Sequence, residues 1–196
     1  MEVAIAHPDQ LIHVRTVLGV VMGLSVARLL TGLARLIQHP GRVRLYPTHL
    51  IWAAFLFLGV VYFWWFEFGL QHVAQWSFEL YFFLIFYAAL FFLQCTLLFP
   101  DHMEEYSGFE AYFHSRQKWF YGLLAALAIV DVMDTLWKGI EHFHAIGHWY
   151  MLRQGVMVLA ALAAMFIAGR RFHFVFAVCS VAGLLCWILL RYQYLR

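Results

Sequence analysis

Asp131, Asp134, Lys138 and Glu141 recur at steps of three and four residues in AIVDVMDTLWK and just beyond it, a stretch otherwise apolar enough to live in lipid. In a helix that spacing puts all four on one face, because residues three and four apart sit on adjacent turns. Two carboxylates one turn apart beside an amine have the makings of a proton relay. A carboxyl group in apolar surroundings can hold its charge through a partner or give it up by binding a proton. An unpaired charge there costs about 2.5–3.5 kcal/mol or more. Arg28, in GLSVARLL, is a further charge inside an apolar run, and a guanidinium cannot shed its proton. Arg28 is therefore expected to pair with Asp131, Asp134 or both. The pairing would serve either a permeation site for protons or a small ion, or a lock that fixes which helices associate.

A second group of polar residues gathers near the predicted outer boundary. Glu67 closes FWWFEFG, Glu79 stands in WSFEL, His72 lies between them, and Arg153 follows in the fifth apolar run. With Glu141 they are expected to line an outward-facing vestibule. His142, His144 and His148 in EHFHAIGH raise a metal reading, since His144 and His148 would share a helical face and a carboxylate could complete a zinc-like set. Gly147 interrupts that helix, and no HExxH or CxxC motif supports it, so metal is the lesser reading. His13, His49 and His173 all lie near span ends and form no evident facing pair for haem. Bound lipid is the only cofactor-like companion expected.

The elements that must position these groups follow from composition. Of 196 residues, 64% are hydrophobic, 19% aromatic and 12% charged, against about 25% charged in soluble domains. That much apolar surface must face something other than water, so the chain reads as one integral membrane domain, residues 1–196. The net charge of +2 and the lack of a basic, aromatic-interleaved soluble segment exclude nucleic acid as a partner. Cys95, Cys179 and Cys186 all fall within apolar runs and read as small packing residues rather than a disulfide framework. MEVAIAHPDQ lacks the charged start and cleavage site of a secretory signal, so the first apolar run is expected to stay as a helix.

The four prolines, Pro8, Pro40, Pro47 and Pro100, fall between apolar runs and punctuate them. Six runs approach the ~20 residues a helix needs to cross the hydrocarbon: Leu11–Ile37, His49–Leu70, Trp76–Phe99, Trp119–Trp137, Trp149–Ala168 and Phe172–Leu190. The expected fold is an all-α polytopic bundle of about six transmembrane helices. The short link 169–171 predicts a tight antiparallel hairpin of the last two. Arg35, Arg42, Arg44, Arg116, Lys118, Arg170 and Arg171 lie in or beside the odd-numbered connections, which assigns those to the inside and both termini to the outside.

Three shorter patterns complete the reading. In LFPDHMEEYSGFEAYFHSRQKWF, Asp101 is a candidate helix N-cap, and Phe109, Tyr112, Phe113, Arg116 and Phe120 are spaced as in a short interfacial helix before the fourth span. Gly19, Gly23 and Ala27 form a small-residue stripe that lets backbones approach closely, within the chain or in a homo-oligomer. Tyr62-Phe63-Trp64-Trp65-Phe66 has the composition of an outer aromatic belt.

GLSVARLLTGLARLI, the basic residues after it, WAAF with FWW, LFPD and GFEAYFHSRQKWFYGLL together resemble a family of small bacterial inner-membrane proteins. The resemblance implies a bacterial inner (plasma) membrane location and a recurrent helical fold, and brings no catalytic or binding residues. Three classes of function stay open. The first is a channel or transporter built on Arg28, Asp131, Asp134 and Lys138. The second is a non-catalytic accessory or assembly subunit with a membrane-protein partner. The third, behind both, is an enzyme or redox protein using the outer histidines, since no nucleophile–base set or phosphate-binding glycine loop is present.

Overall fold

A computed structural model describes residues 8–39, 41, 44–72 and 76–191, without the side chains of residues 8–10, 68, 71, 72, 142, 145 and 191. The elements are α1 (Pro8–Gln38), α2 (Pro47–Phe66), a 3-10 segment (Glu67–His72), α3 (Phe78–Leu98), α4 (Phe109–Trp137), α5 (Ile140–Ile146), α6 (His148–Ala164) and α7 (Arg170–Arg191). No strand occurs among the described residues. Helices α1, α2, α3, α4 and α7 are long and apolar enough to cross a membrane. Helix α6 has 17 residues, or about 25 Å at 1.5 Å per residue, and falls just short of that length.

The helix boundaries have local causes. Pro47 occupies the first turn of α2, where its missing N–H leaves no bond unmade. The Ser77 side chain accepts from the Leu80 N–H and caps α3. Gly108, Gly139 and Gly147 carry φ of 149°, 120° and 84°, a region hostile to side chains, and they start α4, start α5 and separate α5 from α6 respectively.

Helix α1 packs mainly on α3, α4 on α6, and α2 on α7. The expected tight hairpin of the last two helices is not formed. They share a short link but pack little on each other, because α6 is drawn onto α4 and α7 onto α2. The interfacial helix before the fourth span is also absent as a separate element. After Gly108 no breaker intervenes, and α4 runs unbroken for 29 residues. Its first aromatic residues, Phe109, Tyr112, Phe113 and Phe120, are buried in the core against Tyr46, His49 and Trp52 instead of lying on a surface. Asp101 caps nothing, as Asp101–Gly108 is a series of bends and turns. The aromatic block on α2 divides likewise: Phe63 and Phe66 are buried and only Trp64 is well exposed.

The small-residue stripe on α1 works at one of its expected positions. A Cβ on Gly19 would come within 2.7 Å of the Trp64 ring, whereas Gly23 faces open space. The tightest approach is at Gly32, outside the stripe, where a Cβ would overlap the Phe99 ring. Gly32→Ala should therefore lower stability in a detergent melt by about 1–3 kcal/mol, and Gly23→Ala should leave it unchanged or raise it slightly through the better helix former. Equal melting of the two variants would refute this packing.

Candidate functional site

The charged residues separate into two groups at opposite ends of the bundle, and neither is the expected Arg28–aspartate pair. Arg28 donates to Asp101 at 2.7 Å and to the Phe99 carbonyl at 2.9 Å. A long side chain on an α1 face near the loop end extends toward that end instead of staying at mid-depth. It reaches the C-terminus of α3, where carbonyls lack helical partners and the dipole favours a cation. Two more helices serve the same carbonyls: His49 bonds Leu98 O at 2.6 Å and Tyr112 donates to Leu97 O at 2.6 Å. Arg28 also holds the Asp101 carboxyl below the usual carboxylate range through that hydrogen bond. The pairing expectation failed because α1 lies against α3, not α4.

At the other end, the Lys138 Nζ donates to Asp134 Oδ2 at 2.5 Å and to Glu67 Oε1 at 2.8 Å, and sits 4.0 Å from the centre of the Phe66 ring. Side-chain exposure is 2% for Lys138, 5% for Glu67 and 1% for Asp134, so water is shut out. Lys138 follows α4 immediately, one turn beyond Asp134, and the chain that leaves α2 at Phe66 brings Glu67 to it. The lysine stem runs past Gly69, where a Cβ would meet it at an ordinary van der Waals distance of 3.5 Å. One oxygen of each carboxylate, Glu67 Oε2 and Asp134 Oδ1, is buried without a hydrogen bond.

Among the described residues Asp131 has no cation within ion-pair distance. Tyr87 from α3 donates to its Oδ1 at 2.8 Å, Tyr150 from α6 donates to its Oδ2 at 2.7 Å, and the Gln154 amide of α6 donates to Oδ2 as well. The Thr135 and Tyr150 hydroxyls also bond to each other at 2.8 Å. This cluster joins α3, α4 and α6, while Lys138 joins α4 to the end of α2.

The expected outer vestibule is not assembled. Glu67 belongs to the sealed triad, Glu79 is exposed in the first turn of α3, and Glu141 is exposed on α5. Arg153 stacks 5.0 Å from the Trp187 ring of α7. The His72 side chain lies outside the described residues. The groups diverge because each follows its own helix end, and only Glu67 turns inward. Among the described residues no three His, Cys, Asp or Glu side chains come together as metal ligands. His144 lies in the last turn of one helix and His148 begins another, with the Gly147 break between them, so they do not share a continuous face; the His142 side chain lies outside the described residues. His49 and His173 are committed to hydrogen bonds, His173 with Tyr121 at 2.8 Å and with Ile167 O at 2.8 Å.

Tyr87, Tyr150 and Gln154 are partners the residue pattern did not single out, and Asp101 stood out only as a helix cap. Gln154 carried a usable signal: a lone amide in an apolar helix needs a partner inside the bundle. Gln117 is similar, and donates to Ala164 O and Ile167 O at 2.7 Å each, satisfying carbonyls where α6 ends. No family model matches the chain, and no curated protein or solved structure matches it.

Proposed function

We propose that the chain is a non-catalytic accessory or assembly subunit of a membrane complex, with its buried charges locking its own helices in place. The observation that supports this reading most is the enclosure of Lys138, Glu67 and Asp134, each at most 5% exposed. A conduction path needs charges that meet water, whereas a packing lock needs charges that meet each other. Helices α1 and α7 hide the smallest share of their spans inside the chain, which leaves them as the surfaces for a membrane-protein partner or a second copy.

Purification from native membranes in mild detergent should recover a stoichiometric protein partner. Proteoliposomes should show no proton or ion flux that depends on Asp131 or Asp134. Flux lost in both Asp131→Asn and Asp134→Asn, with the variants folded, would overturn the reading. A permeation role for protons or a small ion is the second reading. It is favoured by the position of Asp131, which lines an open cleft between the α4–α6 and α2–α7 pairs.

The finer topology belongs to the same proposal. Six crossings are obtained if Met165–Ala168 extends α6 to the boundary. The basic connections then face inward and both termini outward, in a bacterial inner membrane. Reporter fusions at each connection test this arrangement, and reporters placing the 39–46 and 99–108 connections on opposite sides would exclude it.

A further inference from the structure

Because α6 follows α4 while α7 follows α2, a cleft remains between the two pairs. Its unfilled space, open mouth included, is about 570 Å³. The lower walls are apolar, with Leu56 of α2, Leu124 of α4, Met157 of α6 and Leu184 of α7 among them. Tyr62, Asp131, Arg153 and Gln154 supply polar groups to the same cleft.

Arg153 lies five residues into α6, about 7.5 Å from its start, and Asp131 lies six residues before the end of α4, about 9 Å. Both stand one to two turns inward of the same end of the bundle, at similar levels. Among the described residues Arg153 has no carboxylate within ion-pair distance, and its Nε is buried without a hydrogen bond. Its guanidinium rests on the Trp187 ring, and Trp187 is itself held by a bond from Nε1 to the Tyr62 hydroxyl at 3.1 Å. The site thus holds a fixed cation and a fixed carboxylate, apart from one another, above an apolar slot. A water-filled slot would leave those apolar walls wet, and water needs polar partners to be held.

We propose that this cleft seats one zwitterionic phospholipid. Its phosphate bonds the Arg153 guanidinium, its ammonium faces Asp131, and one acyl chain runs down between Met157 and Leu184. Guanidinium groups match phosphate oxygens bidentately, which gives the phosphate end its grip. The separated opposite charges select a zwitterion over a purely anionic head group.

The test is native mass spectrometry of the full-length chain, delipidated and then offered three lipids with identical acyl chains. These are a phosphatidylethanolamine, a phosphatidylglycerol and a diacylglycerol. One phosphatidylethanolamine should be retained about tenfold better than the diacylglycerol and better than phosphatidylglycerol. Arg153→Gln should abolish that preference, and Arg171→Gln, at the opposite end of α7, should not. Equal retention of diacylglycerol, a preference for phosphatidylglycerol, or an unchanged preference in folded Arg153→Gln would each overturn the proposal. The three-lipid comparison on the unmodified chain decides the matter even if Arg153→Gln does not fold.

Discussion

Lys138→Met should cost the protein about 3–5 kcal/mol, the range for stripping one partner from a buried ion pair, enough to empty the membrane of folded protein. The lysine is the only cation bonded to Glu67 and Asp134 among the described residues. Its removal leaves two carboxylates enclosed by Phe66 and neighbouring helices with nothing to offset them. Both would have to bind protons, or the end of α2 would have to move away from α4. The informative companion is the triple variant Glu67→Gln, Asp134→Asn, Lys138→Met. With no ion left to bury it should regain much of the loss, since neutral groups of similar volume often replace buried ion networks without penalty. Thermal melts in detergent and membrane yield measure both. A single variant as stable as wild type would show that the triad is not what binds the two helices.

Asp131→Leu should be nearly as damaging for a different reason. The carboxylate accepts from three donors on two other helices. Removing it strands the hydroxyl of Tyr87, a residue only 2% exposed, together with the Gln154 amide, while Tyr150 keeps only Thr135. A stranded buried donor costs about 1–3 kcal/mol, so a combined loss of about 3 kcal/mol or more is expected. Asp131→Asn keeps one acceptor oxygen and should lose roughly half as much on the same grounds. Tyr87→Phe removes a donor and leaves an acceptor with two others, so it should cost only about 1 kcal/mol. The ranking Leu, then Asn, then Phe at position 87 is the result to look for, and a Tyr87→Phe loss exceeding that of Asp131→Leu would contradict the geometry.

These two clusters also mark what could be read from the residues and what could not. The long apolar runs and the prolines between them locate five of the helices closely, because a continuous run of that length has few other stable forms. Part of the acid stripe was legible as well: Asp131, Asp134 and Lys138 follow one another to the end of α4 and Lys138 meets Asp134, whereas Glu141 falls on α5 beyond the break at Gly139. The partner of Arg28 was not legible. Charges inside apolar runs must find partners, but their spacing along the chain does not say which, and a side chain as long as arginine moves its charge well away from its own Cα. Nor could Tyr87, Tyr150 and Gln154 be grouped, since they converge only once α3 and α6 have been set against α4. The aromatic repeat from Phe109 to Phe120 has the same spacing whether it faces lipid head groups or protein. Burial against His49 and Trp52 decides it, and both of those belong to another helix.

The divergence of α6 and α7 bears on how the chain is made. Synthesis proceeds from the N-terminus, so α2 emerges early while its main neighbour, α7, emerges last. Until then the ring of Trp52 lacks the Phe176 side chain that closes over it, and the flank of α2 must wait beside lipid or a helper protein. Ribosomes halted before residue 170 should therefore hold an incomplete bundle that is readily cleaved by membrane proteases, and the emergence of α7 sets the moment of maturation.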